Sequence, residues 1–117
     1  MNSKRFDWIV EKRLEAIKNT LVIKAKEYAN DTDRLHNFNA AAIKSNQSRE
    51  KALKGFMLKH EVSLDDIINN IDKGILPTRA LLNEKMGDII NYYILLEASI
   101  TDRINKVEEG KVNDGKR

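Results

Sequence analysis

Glu84, Asp88 and Asn91 fall four and three residues apart in the stretch Asn-Glu-Lys-Met-Gly-Asp-Ile-Ile-Asn-Tyr-Tyr, Asn83 to Tyr93. On a helix this spacing puts two carboxylates and an amide on one face. Met86, Ile89, Tyr93, Leu96, Ile100 and Ile104 recur every three or four residues, so an apolar stripe runs beside them. Acids next to such a stripe are costly to bury unless something pairs with them, which implies a cation or a basic partner. A second pair, Glu27 and Asp31, is also four apart. If the two segments lie side by side, the four carboxylates suit a hard cation such as Mg²⁺, which takes carboxylates and keeps waters for a phosphate. The plainer alternative is that these acids pair with Lys24, Arg34 or Lys85 at the surface.

Asp33-Arg34-Leu35-His36-Asn37-Phe38 is dense in functional side chains for a connector. Arg34 and His36 have the chemistry to hold a phosphate or a base edge. Helix capping by Asp33 and packing of Phe38 is the competing explanation. The two histidines, His36 and His60, lie far apart, which argues against a histidine metal centre. There is no cysteine, and Ser45, Ser48, Ser63 and Ser99 have no base beside them in sequence, so nucleophilic catalysis has little support. Gly55, Gly74 and Gly87 stand alone, so no glycine-rich phosphate loop exists.

The elements that must position these residues are all helical by pattern. Phe6 to about Asn30 carries Val10, Leu14, Ile17, Leu21, Ala25 and Tyr28 as one stripe. Asn30-Asp31-Thr32-Asp33 has turn and cap chemistry. Short helices are predicted over about Arg34 to Lys44, Arg49 to His60 and Leu64 to Lys73, with Ser48 and Ser63 as N-caps and Gly74 as the stop. Pro77 holds Leu76 extended, and Thr78 caps the last long helix. The expected fold is an all-α helical bundle: two long antiparallel helices plus three short ones, one domain over residues 1–108. Residues 109–117, with Gly110 and Gly115, read as a flexible tail.

Basic residues number 21 against 18 acidic, a net charge of +3, with no basic block flanked by stacking aromatics. Nucleic acid is therefore not expected as a partner. No apolar run reaches the length of a signal-peptide core or membrane span, which predicts no membrane partner and a cytoplasmic location. Phe6 and Trp8 are expected to anchor the first helix to the core or to another subunit. With Ile9, Val22, Ile23, Leu82, Ile90, Tyr92, Leu95 and Val107 also off the main stripes, the long helices offer more apolar surface than three short helices can cover. A homodimer or larger homo-oligomer is the expected consequence.

Glu84-Lys85-Met86-Gly87-Asp88-Ile89-Ile90-Asn91-Tyr92 resembles the second metal-binding helix of the all-α, MazG-like nucleoside triphosphate pyrophosphohydrolases. It is similar also to small phage-borne relatives grouped as nucleotide-modification-associated domains, and Lys24 through Phe38 is similar to their first segment. In that group acids on two helices hold Mg²⁺, and water cleaves a nucleoside triphosphate to monophosphate and pyrophosphate. The resemblance thus implies a phage-type, Mg²⁺-dependent nucleotide-binding protein or hydrolase. It matches Asp88 to the second-motif aspartate and Glu27 to the last glutamate of the first motif. Glu27, Asp31, Glu84 and Asp88 would hold the metal. Lys24, Arg34, His36, Asn37 and Lys85 would meet the nucleotide and its phosphates, and Asn91 and Tyr92 would orient it. Two positions depart from the pattern: Lys85 stands where the second-motif glutamate is expected, and Lys24 lies where the first motif carries glutamates. A chain lacking those carboxylates could bind a nucleotide without hydrolysing it. The alternative function is a non-enzymatic helical protein that binds and regulates a host protein.

Overall fold

The computed structural model describes residues 1–25 and 33–114, with side chains through Gly110. Every regular element among them is helical: α1 (Ser3–Lys18) continuing as a π-helical segment (Asn19–Lys24), α2 (His36–Ser45), α3 (Arg49–Asp72) and α4 (Arg79–Asp114). The all-α class follows. Tyr28 and the turn expected at residues 30–32 lie outside the described residues.

Local chemistry sets the boundaries. Asn2 caps α1, its side-chain oxygen accepting from the Arg5 N–H at 2.9 Å. Asn46, left-handed at φ 53°, ends α2, and Ser48 caps α3 by accepting from the Lys51 N–H at 3.1 Å. Gly74, at φ 81°, closes α3 in a Schellman turn. There the Ile75 N–H donates to the Asn70 carbonyl and the Gly74 N–H to the Ile71 carbonyl, both at 2.9 Å. Thr78 caps α4 through the Leu81 N–H at 3.1 Å.

Three expectations are revised. The helices foreseen at 49–60 and 64–73 are one element, α3. Ser63 is an apt cap, but Leu53, Met57, His60, Leu64 and Ile67 make one continuous seam through it, and packing outweighs local propensity. The first helix widens to π geometry at Asn19, where the β-branched Thr20, Val22 and Ile23 resist tight α packing. At the other end, α4 does not stop near Glu109 but runs to Asp114.

The direction of the helices also differs from expectation. Arg49 meets Ser99, Lys54 meets Tyr93 and His60 meets Asp88, so α3 and α4 form the long antiparallel pair. Arg13 meets Asn83, while Leu21, Val22 and Ala25 share a hollow with Ile94, Leu95 and Ala98. Positions on α1 and α4 thus rise together, and those helices run parallel. The two reversals, at Asn46 and at Gly74 to Pro77, return the chain to its starting direction.

The core is small and sits between α2, α3 and α4: Ala42, Ala52, Leu53, Met57, Ile67 and Ile89 are buried. No residue of α1 is buried. Phe6, Trp8, Val10 and Leu14 are exposed, and α4 is faced instead by the half-buried Arg13, Ala16 and Ile17. Arg13 Nη2 donates to Asn83 Oδ1 at 2.9 Å, reaching across a gap that Gly87 keeps open. A Cβ at Gly87 would lie 2.8 Å from Arg13 Nη1. The radius of gyration is 18.1 Å, against about 13 Å for a compact chain of similar length. The molecule extends 60 Å along its longest axis.

Candidate functional site

Two polar clusters cross the α3–α4 seam. The first surrounds Arg49, whose side chain is buried. Its Nε donates to Ser99 Oγ at 2.6 Å, Nη2 to the Ser99 carbonyl at 3.0 Å and to Asp102 at 3.2 Å, and Nη1 to Asn39 Oδ1 at 3.1 Å. Ser99 Oγ in turn donates to Glu50, and Arg103 Nε donates to Glu50 Oε1 at 2.7 Å. Asn39 Nδ2 donates to Asp33 Oδ2 at 3.0 Å, and the other oxygen of Asp33 accepts the Leu35 N–H at 3.0 Å. Asp33 therefore braces the approach to α2, whose N-cap residue, Leu35, makes no side-chain cap of its own. The hydrogen bond from Arg103, with help from Ser99, pulls the Glu50 carboxyl down to about 2 against the opposing cost of burial. Lys106, then Arg49, hold Asp102 below its ordinary value. Every strong donor here has an acceptor inside the cluster, so this is a clamp joining α2, α3 and α4.

The second cluster is open to solvent. His60 Nδ1 lies 3.5 Å from Asp88 Oδ2. The His60 ring lies at 5.2 Å, tilted 30°, against Tyr92, and Tyr92 meets the edge of Phe38 at 6.4 Å. Phe38 also packs edge-on to Phe56. Burial, then the charge of Asp88, push the Tyr92 phenol above its ordinary value. His60 is mostly buried, whereas the Asp88 side chain is 40% exposed. One turn back, Glu84 is 62% exposed and 3.9 Å from Lys85 Nζ. Asn91 Oδ1 is buried and accepts no hydrogen bond among the described residues. An unsatisfied buried acceptor costs about 1–3 kcal/mol.

The structure thus brings together Asp88, Tyr92 and, unforeseen, His60. The pairing could not be read from Lys59-His60 alone, because it depends on the register of α3 against α4. Glu27 and Asp31 lie outside the described residues. Arg34 is engaged elsewhere. Its Nη2 donates to the Leu21 carbonyl at 3.0 Å, and it lines a hollow with Ala25, Ala98 and Asp102. That hollow lies about ten residues along α4 from Asp88, roughly 15 Å at 1.5 Å per residue. Lys24 ends the π segment beside it. His36 and Asn37 open α2 on exposed positions. Within one copy, then, Lys24, Arg34 and Asp88 do not converge.

Among the described residues no three potential ligands gather into a metal site. Glu84 and Asp88 alone are a partial set. Mg²⁺ is commonly held by just one or two carboxylates when phosphate oxygens and water complete its shell, so these residues fit a cation that arrives with a phosphate ligand. No helix among the described residues is long and apolar enough to cross a membrane. No protein-family model matches the sequence, and neither characterised proteins nor solved structures provide a match.

Proposed function

We propose that the protein binds a nucleotide, with Mg²⁺, on the face of α4 that carries Asp88. The approach of His60 Nδ1 to Asp88 at 3.5 Å carries this reading, because it sets a mostly buried imidazole beside a carboxylate that stays 40% exposed. A carboxylate so exposed is open to a cation or a donor from solution. Glu84 would share the cation, and Lys85 would meet phosphate as a point charge. Three residues further along α4, Asn91 Oδ1 is buried without a donor among the described residues. Bound Mg²⁺ would neutralise phosphate charge during attack by water. The chain's own residues orient and hold: His60 sets Asp88, and Tyr92 packs His60 in place. A π-helical segment leads directly into the stretch carrying Glu27 and Asp31, and such wide turns frequently mark functional sites.

A thermal-shift screen of nucleoside triphosphates with and without Mg²⁺ tests the reading, since a ligand of the native state raises the melting temperature by mass action. A nucleotide- and Mg²⁺-dependent rise that Asp88→Asn abolishes is expected. No rise with any nucleotide, or an equal rise in the variant, would refute it.

A second reading has its own support: the exposed apolar face of α1, with Val10, Leu14, Val22 and Ile23 uncovered. Apolar surface in such quantity favours a protein partner. A second copy of this chain, seated on that same apolar face, is the simplest one. A host protein captured on the same face is the non-enzymatic alternative.

A further inference from the structure

The parallel course of α1 and α4 brings their first turns to one pole of the molecule. A groove of about 620 Å³ opens there, lined by Met1, Asn2, Lys4, Arg5, Trp8, Ile9 and Arg79. Met1, Trp8 and Ile9 are the apolar members of that lining, and Trp8 is 55% exposed. Lys4, Arg5 and Arg79 line it as well, with no acid among the lining residues. None of the three cations has a carboxylate within salt-bridge distance among the described residues, whereas Lys12, Lys54, Lys85, Arg103 and Lys106 do. Lys12 Nζ lies over the Trp8 ring, 5.9 Å from its centre, without itself lining the groove. An exposed indole sharing a groove with unpaired cations is complementary to a flat aromatic body bearing several negative charges. The volume falls in the range of small-molecule sites, and stacking on an indole is tolerant of base identity.

We infer that this polar groove is a second anion site, separate from the Asp88 face, that takes a nucleoside polyphosphate with its base on Trp8 and its phosphates on Lys4, Arg5 and Arg79. The inference stands on the groove alone and does not require the Asp88 reading. Guanidinium groups suit phosphate because their planar fork can donate two parallel hydrogen bonds. The apolar lining residues distinguish the site from a simple phosphate trap, and the cationic ones distinguish it from a simple hydrophobic patch.

Trp8 is the only tryptophan in the chain, so its fluorescence reports on this groove. Titration of the full chain with ATP in the absence of Mg²⁺, excited at the red edge of indole absorption, should quench Trp8 saturably. Adenosine and inorganic triphosphate should each bind at least ten-fold more weakly, since each offers half of the recognition. Arg79→Ala and Arg5→Ala should each weaken ATP at least five-fold, with circular dichroism unchanged. Asp88→Asn should leave the titration as in the parent, which separates this site from the one on the Asp88 face. Absence of saturable quenching would overturn the inference. So would adenosine or inorganic triphosphate binding as well as ATP, or loss of quenching in Asp88→Asn with none in Arg79→Ala. A single-stranded oligonucleotide that displaces ATP at substoichiometric concentration would likewise overturn it, making the groove part of a nucleic-acid track.

Discussion

Replacing Glu50 with Gln should cost stability in a way that depends on pH. Glu50 ties α3 to α4 by accepting from Ser99 Oγ and Arg103 Nε. Its carboxyl lies at about 2, down from an ordinary 4.5, which corresponds to at most about 3 kcal/mol. Arg103 is 56% exposed, so solvent screening reduces this to about 1.5 kcal/mol. The folded-state value is depressed, so the contribution is fully present above 4.5 and is lost as pH falls toward 2. Gln keeps the size and an acceptor oxygen but not the charge. Urea unfolding followed by circular dichroism should therefore show Glu50→Gln less stable than the parent by about 1.5 kcal/mol at pH 7. At pH 3 less than half of that difference should remain. A difference that stays constant from pH 7 to pH 3, or is absent at pH 7, would refute the assignment of the stabilisation to the Glu50 charge.

Leu53, with no exposed surface, should lose about 3 kcal/mol on replacement by Ala, measured by the same unfolding curves. Gly87→Ala should favour α4 by up to about 1 kcal/mol in helix propensity. Its Cβ would also displace the Arg13 guanidinium from Asn83, so hydrogen exchange should quicken in α1 while α3 and α4 hold or gain protection. Asp88→Asn without ligand should stay within about 1 kcal/mol of the parent, because the 3.5 Å pairing with His60 is partly solvated; a larger loss would mark the pair as a structural ion pair. Light scattering coupled to size exclusion should return at least twice the 13.5 kDa chain mass at micromolar concentration. A monomer would leave the α1 face without a partner.

Much of the helical skeleton is legible from local chemistry. Ser48 and Thr78 cap as their side chains suggest, and Gly74 supplies the left-handed turn that only an unbranched backbone adopts readily. Ser63 misleads, because a good cap is silent when the apolar seam on both sides of it packs against one partner helix. Val10 and Leu14 mislead similarly: periodicity identifies an apolar stripe but not whether the fold covers it. The candidate site is less legible. Asp88 and Tyr92 stand out through their spacing, but His60 joins them only through the register of α3 against α4. The Arg49–Ser99–Glu50 clamp spans some fifty residues of chain and leaves no local trace, since an Arg-Glu pair at a helix start reads as ordinary capping.

The two reversals that make α1 parallel to α4 also give the molecule opposite poles with different uses. Met1 lies in the wall of the cationic groove, while the far end of α4 is about 54 Å away along a 36-residue helix. Anything fused ahead of Met1 is therefore joined to a residue of the groove lining. A fluorophore, surface anchor or affinity handle joined beyond α4 is attached a whole helix length from that lining.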